Sequence, residues 1–424
     1  MGVEDSGDRS GRREARRRTV KRRQLAAALV VLAIVAILGA VIAVPLLASA
    51  GGGSDTALTA VPAAAKPEVR VKAKRNPPKP RARTLAVSGR PSDRARLKLA
   101  GVITGNISPK SVASSGAGYV TAQNMMYRHS VTVYDAATLK LVKTIPDAVQ
   151  LSKLGYPQYP GVVRGAPVEA AFSADGRYGY MSNYSMYGAG FGPEGSDNCT
   201  PSSGTDRSFV YRIDMKKLKI DRAYHVGAVP KVVAVTPDGR FVLVTNWCTW
   251  DLSVISTKLG REVKRIPIGA YPRGIAVSPK GNAAYVAVMG GNELVRVDLR
   301  RWTTSHLGVG AGPRAAVFHP SDRYIFTTLN AEGRVAKLDL KTGTVTAKVA
   351  TGQAPRSMTI AADGRSLYVV NYESGTVTKL RSSDMRTLET IEACFHPIGI
   401  TYDRATKRIW VACYTGSIRV YNDW

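Results

Sequence analysis

The chain reads as an all-β protein. A seven-bladed β-propeller with four-stranded antiparallel blades spans residues 95–424, its ring closed by an N-terminal strand, and a transmembrane helix and linker precede it. Three observations predict this. One phrase recurs every 41–42 residues, each copy holds four short strands, and a spare strand precedes the first copy while the last copy lacks one. Such a period marks a propeller-type array, because one unit cannot bury both its faces alone.

The phrase is clearest in "YPRGIAVSPKGNAAYVAV", residues 271–288, where two alternating runs flank a Ser-Pro-Lys-Gly turn, as in a β-hairpin. It returns as "VPKVVAVTPDGRFVLVTN", "GPRAAVFHPSDRYIFTTL" and "APRSMTIAADGRSLYVVN". A proline anchors each copy. Pro230, Pro272, Pro313, Pro355 and Pro397 are separated by 42, 41, 42 and 42 residues, Pro167 opens "PVEAAFSADGRYGYMSNY" upstream, and Pro109 opens a degraded copy. In the copy from Pro272 the strands, called a to d, fall at 274–278, 283–289, 293–299 and 305–310. The final copy reaches Trp424 with only a, b and c. "RLKLAGV" at 96–102 resembles the d strands. Pairing it with the last blade closes the ring and removes the edges of an open array.

"FVLVTN" (241–246), "LYVVN" (367–371) and the recurring Pro-Asp-Gly wording resemble the YVTN family of β-propeller repeats. The resemblance covers the propeller and implies architecture. Similar propellers include surface proteins, binding modules, sugar-lactone hydrolases and redox-enzyme domains, so it assigns no activity. Val288, Leu329 and Cys413 stand where other copies have Asn183, Asn246 and Asn371, which breaks any full ring of Asn.

Charge separates the propeller from what precedes it. Of the net +29, +14 falls within residues 1–98 and +15 in the rest, so the propeller is basic without being extreme. Residues 1–24 form an Arg-rich tail. Residues 25–48 carry no charge, enough for a spanning helix across a hydrocarbon core of ~30 Å. Basic residues crowd its N-terminal side, so the tail is expected in the cytoplasm and the propeller outside, single-pass and anchored by an uncleaved signal. The competing reading is a signal peptide cleaved after Ala50, which makes the protein secreted. Residues 49–94 form a Pro/Lys/Arg linker whose first role is spacing and whose cations also suit anionic lipid or wall polymer.

Long loops on a rigid scaffold are where binding chemistry sits. In a propeller the d–a and b–c connections share one face. The two large insertions, about residues 146–166 (d–a) and 185–208 (b–c), both fall there and flank the blade opening at Pro167. The four cysteines reach the same face, and in an exported protein they are expected to pair as Cys199–Cys248 and Cys394–Cys413.

One residue after the anchors stand Lys110, Val168, Lys231, Arg273, Arg314, Arg356 and Ile398; seventeen after stand Met126, Tyr184, Trp247, Met289, Asn330, Tyr372 and Tyr414. Both sets are expected around the channel mouth. Lys231, Arg273, Arg314 and Arg356 would meet phosphate or carboxylate. Tyr184, Trp247, Tyr372 and Tyr414 would offer stacking faces, and Glu169 is a lone acid nearby.

Catalytic motifs are missing. The five histidines have no metal-ligand spacing, and no Gly-x-Ser-x-Gly elbow, phosphate loop or calcium loop occurs. His396 is the one histidine worth testing, and Asn183, Asn246 and Asn371 with Glu169 make a weak divalent site. No cofactor or metal is expected. The leading reading is a non-catalytic binding or scaffold module for an anionic cell-envelope polymer or a protein partner, and export argues against nucleic acid. The alternative is a lactonase-like hydrolase or lyase acting on a small substrate at the mouth.

Overall fold

Alternation at period two makes each repeat a meander whose apolar faces pack against the neighbouring blades. The computed structural model describes residues 89–192 and 194–424. The tail, the transmembrane segment and the linker up to residue 88 lie outside the described residues. Among those described, no helix is long and apolar enough to cross a membrane. The ring is a seven-bladed propeller of antiparallel sheets, six with four strands and one with five.

Closure follows the spare-strand expectation. Lys98–Ile103 pairs antiparallel with Ser417–Asn422, with Lys98 opposite Asn422 and Ile103 opposite Ile418, and becomes the outer strand of blade 7. The ring also reaches further upstream than residue 95: the Ser92 amide and hydroxyl donate to the two Asp363 carboxylate oxygens at 2.9 and 2.7 Å.

Apolar clusters fill each gap between blades, for example Leu243, Ile275, Val286 and Val295 between blades 3 and 4. Two strand-c lysines also tie neighbours together. Lys337 donates to the Ser382 and Ser383 carbonyls at 3.0 and 2.7 Å. Lys379 pairs with Asp423 at 2.5 Å and donates to the Ala95 carbonyl at 2.8 Å, both ionic side chains having no exposed surface.

The Asn of the repeat has a structural role. In blade 6 a Cβ on Gly352, three residues before the anchor, would lie 2.8 Å from Asn371 Cβ, so only glycine fits beside that side chain. Asn371 donates to the Thr376 and Thr378 hydroxyls at 3.0 and 2.9 Å, and Asn246 donates to Ser253 at 2.8 Å. In blade 7 the same two positions are Cys394 and Cys413, and their proximity becomes a bridge with Cα atoms 6.1 Å apart. Cys199 and Cys248 form the second bridge, Cα–Cα 5.2 Å, and no described cysteine is free. Thiol titration of the unreduced, denatured protein should therefore find close to none; reducing the blade 7 bridge should cost about 3 kcal/mol, as expected for a short closed loop.

The insertions are more ordered than loops. Blade 2 gains a fifth short strand, Ala148–Val149, and its two inner strands extend to ten residues each, Val163–Phe172 and Tyr178–Tyr187. The first insertion packs outward onto blade 2, where the Tyr156 hydroxyl donates to the Ala223 carbonyl at 3.2 Å. The two insertions meet through Tyr159 and Phe191, stacked at 4.6 Å.

Candidate anion-binding site at the channel mouth

One local device builds the mouth. The residue before five of the seven anchor prolines takes a left-handed backbone: Val229, Tyr271, Ala354 and His396 have φ between 51° and 57°, and Gly312 has 63°. Its carbonyl accepts the amide of the residue seventeen after the anchor: Val229 from Trp247 at 3.0 Å, Tyr271 from Met289 at 3.1 Å, Ala354 from Tyr372 at 3.1 Å. The post-anchor cations of blades 3 to 6 are thereby set beside the position-seventeen side chain of their own blade, of the preceding blade, or, for Lys231, of both.

The contacts follow this pattern. Lys231 Nζ lies 4.1 Å from the Tyr184 ring centroid and 5.1 Å from that of Trp247. Arg273 stands 5.9 Å from Trp247, and Arg356 3.5 Å from Tyr372. Arg314 donates to Met289 Sδ at 3.4 Å. The rings thus hold cations instead of offering open stacking faces. Tyr184, Trp247 and Tyr372 are buried, and of the four rings only Tyr414 is substantially exposed. Lys231, Arg273 and Arg314 are 3%, 7% and 7% exposed, so the mouth is a covered cluster and not an open funnel.

The cover is the second insertion. Asp197 Oδ1 accepts from Lys231 Nζ at 2.9 Å and from the Tyr184 hydroxyl at 3.2 Å, while its carbonyl accepts from Trp247 Nε1 at 3.0 Å. Cys199, two residues on, ties the same segment to blade 3 through Cys248. Asp197 was not legible in the sequence, since the insertion has no period to place it. A cavity of about 330 Å³ approaches the cluster from the other side, beside Lys110 and Tyr414.

Charge in the cluster is unbalanced: Lys110, Lys231, Arg273, Arg314 and Arg356 face Glu169 and Asp197, with Glu373 beside Arg356. Burial raises the Glu169 carboxyl, opposed by the charges of Arg273 and Lys110. Burial, reinforced by Arg273 and Arg314, lowers Lys110 well below its usual range. Burial also opposes ionisation of Asp197, but the Lys231 ammonium outweighs it and holds that carboxyl down to about 2. The buried Nε atoms of Arg314 and Arg356 have no hydrogen-bond partner. Buried guanidinium N–H groups left without an acceptor call for an anion.

Lys231 is the titrating member. Burial, reinforced by Arg273 and opposed by Asp197, takes it from 10.5 down to about 7. Between those values the unfolded chain binds more protons than the folded one, so this group makes stability rise with pH, and the contribution is lost as pH falls to about 7. Urea midpoints of the protein relative to Lys231→Met should therefore climb between pH 7 and 9, while anion affinity falls as the ammonium discharges. A pH-independent difference contradicts this assignment.

The structure does not bring the other candidates into a site. Asn183, Asn246 and Asn371 are buried in separate blades and bonded to strand c, so they do not converge on a metal. Among the described residues no group of three His, Cys, Asp or Glu side chains is placed to hold one. His396 stacks on Tyr372 at 4.1 Å and lies against Phe395 at 3.8 Å, with Nε2 3.5 Å from a Glu373 carboxylate oxygen.

The fold and this mouth define a seven-bladed propeller with a buried cationic cluster. Residues 308–419 match the model of the Cytochrome D1 heme domain. The chain is similar to hydrazine synthase subunit beta of Kuenenia stuttgartiensis, 28% identical over 38% of this chain and 44% of that protein. It is also similar to the seven-bladed beta-propeller protein Rv1057 of Mycobacterium tuberculosis, 35% identical over 28% of this chain and 31% of that one. Antigen Lp49 of Leptospira interrogans matches at 24% identity over 38% and 37%. The chain thus spans less than half the length of each of these relatives. Among solved structures, Kuenenia stuttgartiensis hydrazine synthase shares the fold at TM-score 0.58 and 18% identity, covering 75% of this chain and 96% of that one.

A haem needs an axial donor with a free lone pair facing a cavity. In the matched stretch His319 Nδ1 accepts the Ser321 amide at 3.1 Å, which puts the proton of the neutral ring on Nε2 and leaves no free lone pair, His396 is stacked and paired with Glu373, and both cysteines are bridged. The cleft beside His396 also carries Glu373 and Glu392, which repel haem carboxylates. These residues do not fit the group.

Proposed function

We propose that the chain is a membrane-tethered, extracytoplasmic propeller of the YVTN type that binds without turnover. It takes a carboxylate- or phosphate-bearing group of a cell-envelope polymer, or of a protein partner, at the channel mouth. The observation that carries this reading is the buried surplus of cations, with the Arg314 and Arg356 Nε atoms left unpartnered. The Asp197 strap, anchored by a disulfide, holds the site closed on one side. The test uses the full chain in membrane vesicles and an oligogalacturonate, with its carboxyl-reduced neutral form as control. The charged oligomer should bind and the neutral one should not. Arg273→Ala/Arg314→Ala should weaken binding at least about tenfold, the loss of roughly one charge-assisted contact. Unchanged binding overturns the reading.

A second reading, a propeller enzyme acting on a small substrate, is favoured by the likeness to a haem domain and to hydrazine synthase, and by Glu169, a buried acid held toward its neutral form. The two readings part at Glu169→Gln. The binding reading expects tighter anion retention once the opposing carboxylate is gone. The enzyme reading expects turnover to be lost.

A further inference from the structure

A larger cavity, about 600 Å³, lies outside the channel at the seam where the ring closes between blades 7 and 1. That is within the range of small-molecule pockets, about 300–1,000 Å³. Ile103, at the end of the closing strand, and Leu139 and Leu141 of blade 1 give it an apolar wall, while Arg128, His129 and Arg164 border it. A Cβ on Gly101 would lie 2.9 Å from Leu139 Cδ1, so the closing strand is seated on this wall.

Three independent features point to a ligand. First, Arg128 and Arg164 are exposed, and among the described residues neither has a carboxylate partner. The one acid in the lining, Asp147, is buried, accepts the Gly165 amide at 2.8 Å, and is pushed by burial up to about 7, which makes it a weak counter-charge. Second, His129 sits at φ 44°, at a repeat position filled by Gly333 and Gly375 in blades 5 and 6. Trp250, at φ 57°, holds the same position in blade 3, so the backbone there admits a large side chain. The His129 Nδ1 is 2.8 Å from the Gly165 carbonyl, which can only accept, so Nδ1 carries a proton and the ring is fixed; Nε2 then accepts from a protonated acid when the ring is neutral and donates to a carboxylate only when the ring is doubly protonated. Third, six of the ten exposed large apolar side chains, Leu99, Val102, Tyr127, Leu141, Val142 and Val162, lie on the segments that border the seam. A concentration of that kind marks an interaction site.

We infer that the seam binds a single-chain amphiphile with an anionic head, the head between Arg128, His129 and Arg164 and the chain along Ile103, Leu139 and Leu141. Two guanidiniums on one border, without carboxylate partners among the described residues, suit a carboxylate. The wall beyond them offers dispersion contact and apolar burial, which suits a hydrocarbon chain and not a polar polymer.

The test is photo-crosslinking of the full chain in its membrane with a diazirine-bearing fatty carboxylate, the label located by mass spectrometry. Label is expected on the peptides holding Ile103 and Leu139–Leu141, and Arg128→Ala/Arg164→Ala should lower it at least tenfold while label elsewhere in the chain stays constant. A tryptophan-fluorescence melt of the variant checks that the ring is intact. A diazirine alkyl-trimethylammonium of the same length should label the seam no more than a tenth as much. Equal seam labelling by the cationic amphiphile, or unchanged labelling of a folded double variant, overturns the inference.

Discussion

Lys379→Ala is expected to destabilise the propeller by about 3–5 kcal/mol, the cost of stranding one member of a fully buried ion pair. Asp423 would be left in the interior beside the Tyr368 hydroxyl without its ammonium partner, and the Ala95 carbonyl would lose its donor. The effect is large because of where the pair sits: Lys379 is on strand c of blade 6, Asp423 directly follows the last strand of blade 7, and Ala95 leads into the closing strand. One side chain thus fastens both termini of the ring. Urea unfolding followed by tryptophan fluorescence reads this directly, since all five tryptophans lie at residue 247 or beyond. Lys379→Met/Asp423→Leu should recover much of the loss by removing both charges. A double variant no better than the single one would mean that packing, and not the stranded charge, sets the cost.

Arg314→Met is expected to act in the opposite direction. In anion-free buffer it should stabilise the protein by about 1–3 kcal/mol, because it removes a buried charge repelled by Arg273 and Arg356 and incompletely hydrogen-bonded. Added phosphate should then stabilise the natural protein by about 2.7 kcal/mol at a concentration of 100 Kd and the variant by far less. Stability and ligand retention would be traded at one residue, as expected of a binding site that carries its own electrostatic strain. A destabilised variant that still gains stability from phosphate contradicts this account.

Much of the architecture is written in the chain because repetition makes it so. The proline anchors phase the blades, and the spare strand pairs with strand c of the last copy, Lys98 opposite Asn422. The Cys394–Cys413 bridge also has a readable cause, since Gly at the position of Cys394 and Asn at that of Cys413 mark two sites that touch in other blades. The site was only partly legible. Lys231, Arg273, Arg314 and Arg356 do gather at one mouth, yet their burial depends on a strap from an aperiodic insertion, and Asp197 carries no local signal. Nor could alternation assign Lys379. In "TVTKLR" it reads as a solvated face, whereas that face meets another blade, and its partner is 44 residues away. The rings at Tyr184, Trp247 and Tyr372 each lie against a cation, a contact that residue spacing alone does not reveal.

The central claim is that the buried arginines hold an anion. Crystals of the protein grown with selenate, measured at the selenium edge, test it most directly. The account predicts an anomalous peak within hydrogen-bonding distance of Arg273 and Arg314 that disappears in Arg273→Ala/Arg314→Ala. Ordered guanidiniums with no peak beside them, at selenate concentrations that occupy other sites on the same molecule, would contradict it.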